Sequence, residues 1–191
     1  MDGVRTLFED GRTFSHWTDR PVAPETLRDL ADLMKWGPTS ANCSPARIVF
    51  VASPDAKARL KPHLDLGNVD KTMAAPVTAV IGYDLAFYER LDRLFPHEPG
   101  ARSWFAGKPD VIAATAFRNG SLQGGYFILA ARAVGLDCGP MSGFDAAGVE
   151  RDFFPGGDIR ANFLCNLGYG DRSRLHPRSP RFTFDEFCSI V

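Results

Sequence analysis

The chain has 191 residues, 45% of them hydrophobic and 24% charged, with a formal net charge of −1 at pH 7. Such a length fills one core or two small lobes, and a near-zero charge with Lys and Arg spread along the sequence argues against nucleic acid or an anionic membrane as the main partner. No apolar run approaches the roughly 18 residues of a membrane span. The opening MDGVRTLFEDGRTF carries acids where a secretory signal is continuously apolar, so the cytoplasm is the expected location.

In chain order, PVAPETLRDLADLMKWG (21–37) reads as a helix. Pro24 suits its first turn, Glu25 complements the N-terminal dipole, Leu27, Leu30, Leu33 and Met34 recur at helical spacing, and Gly37-Pro38 ends it. RIVFVAS (47–53) reads as a strand, followed by a helix with Ser53 as N-cap and Pro54 at its first position. APVTAVIGYD (75–84) is a second strand. A long, mostly apolar helix is expected from near Asp110 to Gly135, and its Gly124-Gly125 pair implies close packing against another backbone or a flat ligand. FDAAGVERDFF (144–154) reads as a short helix and ANFLCNLGYG (161–170) as a third strand. Helices alternating with buried strands give an α+β or α/β sandwich around one sheet. Residues 84–110 are rich in aromatic and turn residues without clear periodicity, as in a lid or substrate wall inserted into a single 1–191 domain.

Familiar chemistry is mostly absent. Cys43, Cys138, Cys165 and Cys188 form no CxxC or CxxH pair, so no metal site is expected and each cysteine reads as structural, although Cys43 lies in a polar loop. There is no G-x-G-x-x-G, no phosphate-loop motif and no G-x-S-x-G elbow. His16, His63, His97 and His176 lack triad or metal spacing and read as surface or loop residues. An enzyme with no nucleophile beside an obvious base depends on a cofactor for its hard chemistry.

Four segments suit such a cofactor. GPTSANCSP (37–45) and GLDCGPMSGFD (135–145) read as glycine- and serine-rich loops, the second opening into the helix near Asp145. GYGDRSRLHPRSPRF (168–182) brings Arg172, Arg174, Arg178 and Arg181, and GRTFSHWTDRPV (11–22) adds Arg12, Thr13 and Ser15. Backbone amides, hydroxyls and arginines together are what a phosphate monoester needs.

These segments, in this order, carry a resemblance. RTFSHWTDRPV is similar to the Arg-Ser-x-Arg-x-Phe…Pro-Val opening of the FMN-dependent nitroreductase superfamily, and GPTSANCSPAR to its Pro-Ser-x-x-Asn-x-Gln-Pro-Trp segment. AARAVGLDCGPMSGFD resembles its Ala-Ala-x-x-x-Gly-Leu-Gly…Gly-Phe-Asp stretch, and NLGYGD its final Gly-Tyr turn. Within the superfamily, LMKWGPTSANCSPARIVF, the FYERL…LFPH…ARSWF insertion and GLDCGPMSGFD look most like the malonic semialdehyde reductases of the bacterial pyrimidine-utilisation (Rut) pathway.

The resemblance implies an α+β three-layer sandwich with a mainly antiparallel sheet of four or five strands, and an intertwined homodimer with FMN at the subunit interface. It implies Arg12, Thr13 and Ser15 at the phosphate and ring edge. Ser40, Asn42 and Ser44 would lie at the ring from the partner chain, Pro140, Met141, Ser142 and Gly143 beside it, and Arg181 (or Arg178) on the phosphate. No protein nucleophile is implied: NADPH, or NADH, delivers hydride to flavin N5 for 3-oxopropanoate, which becomes 3-hydroxypropanoate. Arg102 and Arg118 are the candidate cations for its carboxylate, and Trp104 and Phe105 candidate pocket walls. A broad nitro or quinone reductase and a non-catalytic FMN-binding module are the alternatives. Gly11 and Ser15 stand where the family often has basic residues, and Ser44 and Ala46 where it has Gln and Trp, which implies weaker FMN retention.

Overall fold

The computed structural model describes residues 2–191. Strands β1 (Ala46–Val51), β2 (Val77–Asp84), β3 (Asp137–Met141) and β4 (Ile159–Gly168) form an open sheet in the order β1-β2-β4-β3. Every neighbouring pair is antiparallel, so the fold is α+β. The helices are α1 (Pro24–Met34), α2 (Pro54–Leu60), α3 (Leu66–Ala74), α4 (Pro109–Ala133) and α5 (Ala146–Phe153).

The two-residue period of the strands makes two cores. On one face Val77, Ala79 and Ile81 of β2 and Cys165 and Leu167 of β4 pack with Leu30 and Met34 of α1 and Phe127, Ala130 and Ala131 of α4. On the other, Val80 and Leu164 pack with Met141, with Leu60 of α2 and with Val149 of α5. Helices thus cover both faces, which requires strands apolar on both sides. Polar side chains on the second face are paired: Thr78 donates to Asn166 Oδ1 at 2.7 Å, and Asn166 donates to Thr72 Oγ1 at 3.3 Å.

Strand β3 corrects the sequence reading, which left 135–145 as a loop. Its glycine and proline hide a strand pattern, but β3 is a sheet edge, where proline is tolerated. Pairing with β4 from Asp137↔Gly168 to Met141↔Leu164 fixes the register. The glycines of α4 also find their reason. A Cβ at Gly124 would lie 2.4 Å from Phe163 Cε1, and one at Gly120 would lie 2.7 Å from Tyr83 Cβ, so the helix packs directly on the sheet there, while Gly125 faces open space.

The 84–110 segment holds three short helical turns, Phe87–Arg90, Leu91–Leu94 and Ala101–Trp104. They bury Phe87, Leu91, Ala101 and Phe105 against Cys43 and Ala116 in a third apolar cluster. Phe105 is therefore core packing. No helix among the described residues is long and apolar enough to cross a membrane.

Candidate functional site

The N-terminal segment runs beside the free edge of β3. Thr13 bridges Cys138 in parallel, Phe14 N donates to Cys138 O at 2.9 Å, and Trp17 bridges Gly170. Two glycines permit this approach. A Cβ at Gly139 would lie 2.4 Å from Phe14 O, and one at Gly170 would lie 2.0 Å from the Phe14 ring. Phe14, 1% exposed, anchors the segment; Arg12 and Thr13 precede it, and Ser15 and His16 follow it toward Asp171, whose N donates to His16 O at 3.0 Å.

Arg12 and Thr13 line a cleft of about 270 Å³ together with Arg132, His176, Arg178 and Arg181. Four guanidinium groups meet there, and no carboxylate is among the lining residues. Their bonds go to neutral carbonyls. Arg12 donates to His176 O, Arg178 to Glu9 O and Gly11 O, Arg181 to Ser179 O and Pro180 O, and Arg132 to Leu7 O. Carbonyl acceptors orient a guanidinium without cancelling its charge, so the cleft is built for an anion, and planar arginine forks suit a phosphate. Arg178 and Arg181 both line it. Ser15 lies in a small adjoining hollow with Thr13, His16 and Arg174.

Pro140 and Met141 end β3, and Ser142 and Gly143 lead toward α5. Gly143 O accepts from Asn68 Nδ2 at 2.6 Å and Asp65 N at 3.2 Å, and Met141 Sδ accepts from Thr72 Oγ1 at 3.5 Å. This exit is held from the α3 side, with Ser142 exposed.

The 39–45 loop lies elsewhere. It enters β1, and β1 and β3 are opposite edges of the sheet, at least three strand spacings or about 14 Å apart. Within one chain, Ser40, Asn42 and Ser44 therefore do not meet Arg12 or Pro140. The loop is strained and well pinned. Ala41, Asn42 and Ser44 adopt φ of 50°, 48° and 38°, a left-handed conformation that costs non-glycine residues energy and clusters at functional sites. Buried amides of α4 hold it: Asn119 Oδ1 accepts from Ser40 N at 2.9 Å and Gln123 Oε1 from Ala46 N at 2.8 Å. Asn42 Nδ2 donates to Leu94 O at 2.7 Å, tying the loop to the 84–110 segment. Below it, buried Asp84 receives Arg47 at 2.6 Å and Arg90 at 2.7 Å.

Cys43 sits inside this loop with its thiol pushed up to about 11 by burial, so it rests protonated and is unsuited to nucleophilic attack. Arg102 forks onto Glu89 at 2.6 and 2.7 Å. Trp104 is 44% exposed at the edge of the insertion, near Phe95. Arg118 is exposed on α4 beside Asn119 and makes no hydrogen bond or ion pair among the described residues. His63 departs from its surface reading: it is half-buried and its Nε2 lies 2.8 Å from Asp152. Sequence reasoning missed Arg132 and read His176 as a plain loop residue. Arg132 ends an apolar helix, where a cation reads simply as a complement to the helix dipole. No group of His, Cys, Asp and Glu among the described residues could hold a metal.

Residues 12–169 match the Nitroreductase family. A Burkholderia lata protein named provisionally as an NADH dehydrogenase/NAD(P)H nitroreductase is 64% identical over 184 residues, covering 96% of this chain and 94% of that protein. Among solved structures, ydfN of Bacillus subtilis, named provisionally a nitroreductase, superposes with a TM-score of 0.91 at 22% identity over the whole of both chains. A protein of Exiguobacterium sibiricum with a similar provisional name, crystallised with FMN, gives 0.86 at 17% identity, covering 100% of this chain and 98% of that one.

Proposed function

Because this chain belongs to the nitroreductase family, we propose that it is an FMN-dependent NAD(P)H oxidoreductase, NADPH being the expected donor. The observation that carries the reading is the cleft beside β3, where Arg12, Arg132, Arg178 and Arg181 converge with no acid among the lining residues. A phosphate monoester fits that donor set. FMN supplies two-electron transfer from a reduced pyridine nucleotide to an organic acceptor.

The chain's own part is to bind, orient and shield. Arg12, Thr13 and Arg181, with Arg178, hold the phosphate. Ser15 and the Pro140–Gly143 exit flank the ring, where exposed Ser142 and its backbone can meet polar atoms on the ring rim. Ser40, Asn42 and Ser44 reach the ring from a second copy of the chain, since they lie across the sheet from the cleft in their own. Loops fixed by Asn119, Gln123 and Asn68 hold both reactants at short range with little reorganisation.

The acceptor we propose is 3-oxopropanoate, reduced to 3-hydroxypropanoate as a cytoplasmic step of pyrimidine degradation. The insertion and its tie to the 39–45 loop support that choice. Of the candidate cations, Arg118 is free for a carboxylate, whereas Arg102 would have to leave Glu89. Trp104, half exposed beside Phe95, is the proposed pocket wall.

The test is anaerobic reduction of the FMN-loaded chain by NADPH or NADH, followed by kcat/KM for 3-oxopropanoate, menadione and nitrofurazone. Rapid bleaching and a preference for the semialdehyde are expected. Bleaching with a preference for the quinone or nitro compound makes the protein a broad reductase. Bound flavin without bleaching makes it a binding module, and no flavin binding overturns the whole reading.

A further inference from the structure

One cation of the cleft comes from an unexpected place. Arg132 lies near the C-terminal end of α4, and its guanidinium rests directly over Gly11. A Cβ at position 11 would lie 2.5 Å from Arg132 Cζ and 2.7 Å from both Nε and Nη1. The absence of a side chain at 11 is thus what admits this guanidinium. Nη1 donates to Leu7 O at 2.6 Å, while Nε is buried without a hydrogen-bond partner among the described residues. A charged donor left unpaired in a buried position is costly. On its far side Arg132 borders a smaller hollow that contains Asp10 and Asp137. Asp137 is engaged by Gly170 N at 2.9 Å and Arg172 at 3.7 Å, and no ion pair to Arg132 forms among the described residues.

We propose that Arg132, admitted by Gly11, is a phosphate-binding residue that grips the cofactor phosphate together with Arg12, Arg178 and Arg181. The inference rests on the FMN reading above and adds to it a residue from the other end of the chain, together with the reason position 11 must stay bare. The phosphate supplies the charge that the unpaired guanidinium lacks. Grip on the cofactor therefore depends on one glycine-arginine contact between the N-terminal segment and α4.

The experiment compares binding of FMN and of riboflavin, which lacks the phosphate, to the full-length flavin-free chain by quenching of flavin fluorescence. Three variants are used beside the wild type: Arg132→Gln, which keeps a donor for Leu7 O without the charge, Arg132→Lys, and Gly11→Ala. The alanine displaces the flexible end of Arg132 without removing it, so folding is not at stake. Arg132→Gln and Gly11→Ala are each expected to weaken FMN about tenfold or more and to leave riboflavin within about twofold, the lysine falling between. An unchanged ratio of FMN to riboflavin affinity in Gly11→Ala and Arg132→Gln, or equal loss of both ligands, overturns the proposal. A wild type that binds neither flavin, or binds both equally, overturns instead the FMN reading on which it rests.

Discussion

Lys57 shows how a single side chain can close the end of an element. It is 7% exposed, and its Nζ donates to the carbonyls of Thr72, Met73 and Ala75, the unsatisfied acceptors at the C-terminal end of α3. Burial holds its ammonium below the ordinary 10.5. Between the depressed value and 10.5 the unfolded chain therefore binds more protons than the folded one, and stability rises with pH across that window. Lys57→Met should cost about 2 kcal/mol by leaving those carbonyls unpaired, and the gap from wild type should widen as pH is raised toward 10.5. Urea unfolding at neutral pH and near the upper end of the window measures both, and a gap that narrows would contradict this assignment. Nothing in the sequence around Lys57 announced such a role, since SPDAKARL reads as an ordinary exposed helix. Arg12, Thr13, Arg178 and Arg181 were legible because arginines and hydroxyls in loops have no packing reason to gather. Arg132 was not, because its partner, bare Gly11, lies far off in sequence and only the fold brings them together.

At the scale of elements, the site depends on how the 12–17 segment lies against β3. That contact consists of the Thr13–Cys138 bridge, the Phe14 N bond to Cys138 O, and Gly139, where the two backbones come too close for a side chain. In Gly139→Ala the new Cβ would lie 2.4 Å from Phe14 O. Backbone against backbone has no flexible end to move, so the segment must lift from β3 and draw Arg12 and Thr13 out of the cleft. The expected result is a loss of about 2–3 kcal/mol, in the range of core overpacking, with FMN affinity falling in parallel. Thermal unfolding and flavin titration measure the two, and a variant with wild-type values in both would show that the segment does not position the cleft. Helices α1, α2, α4 and α5 and the β1, β2 and β4 strands were readable from period and caps alone, whereas α3, whose N-cap Asp65 makes no side-chain cap bond, was not. β3 was not, because CGPM carries turn chemistry and becomes a strand only when β4 offers its edge. The 84–110 segment shows no clear period in the sequence, and its apolar cluster around Phe87 and Phe105 is made by contacts that no local period records.

At the scale of the molecule, the two groups of polar residues that the proposed cofactor needs stand on opposite edges of one sheet. Arg12, Arg181 and the Pro140–Gly143 exit belong to the β3 edge, and Ser40, Asn42 and Ser44 to the β1 edge. Neither edge can travel to the other without dismantling β2 and β4, whose partners are buried on both faces. On the reading proposed above, a second copy would bring the missing half without moving either. The surface offers side chains for such a contact: Phe182, Phe184, Phe187 and Ile190 of the C-terminal arm and Phe117 and Leu122 of α4 are exposed, and large exposed apolar side chains are what an interface between copies buries. The arm follows Arg181 directly, so docking it on a second chain would also fix the last arginine of the cleft. A mixing experiment tests this arrangement. One variant carries Arg12→Ala and Arg181→Ala, the other Ser40→Ala and Asn42→Ala, and each is expected to be nearly inactive alone. After the chains are mixed and allowed to reassort, half of the dimers hold one chain of each kind. Such a dimer has one site with both defects and one with none, so activity should return to about a quarter of wild type. If each site were built from a single chain, every site in the mixture would keep a defect and no activity would return.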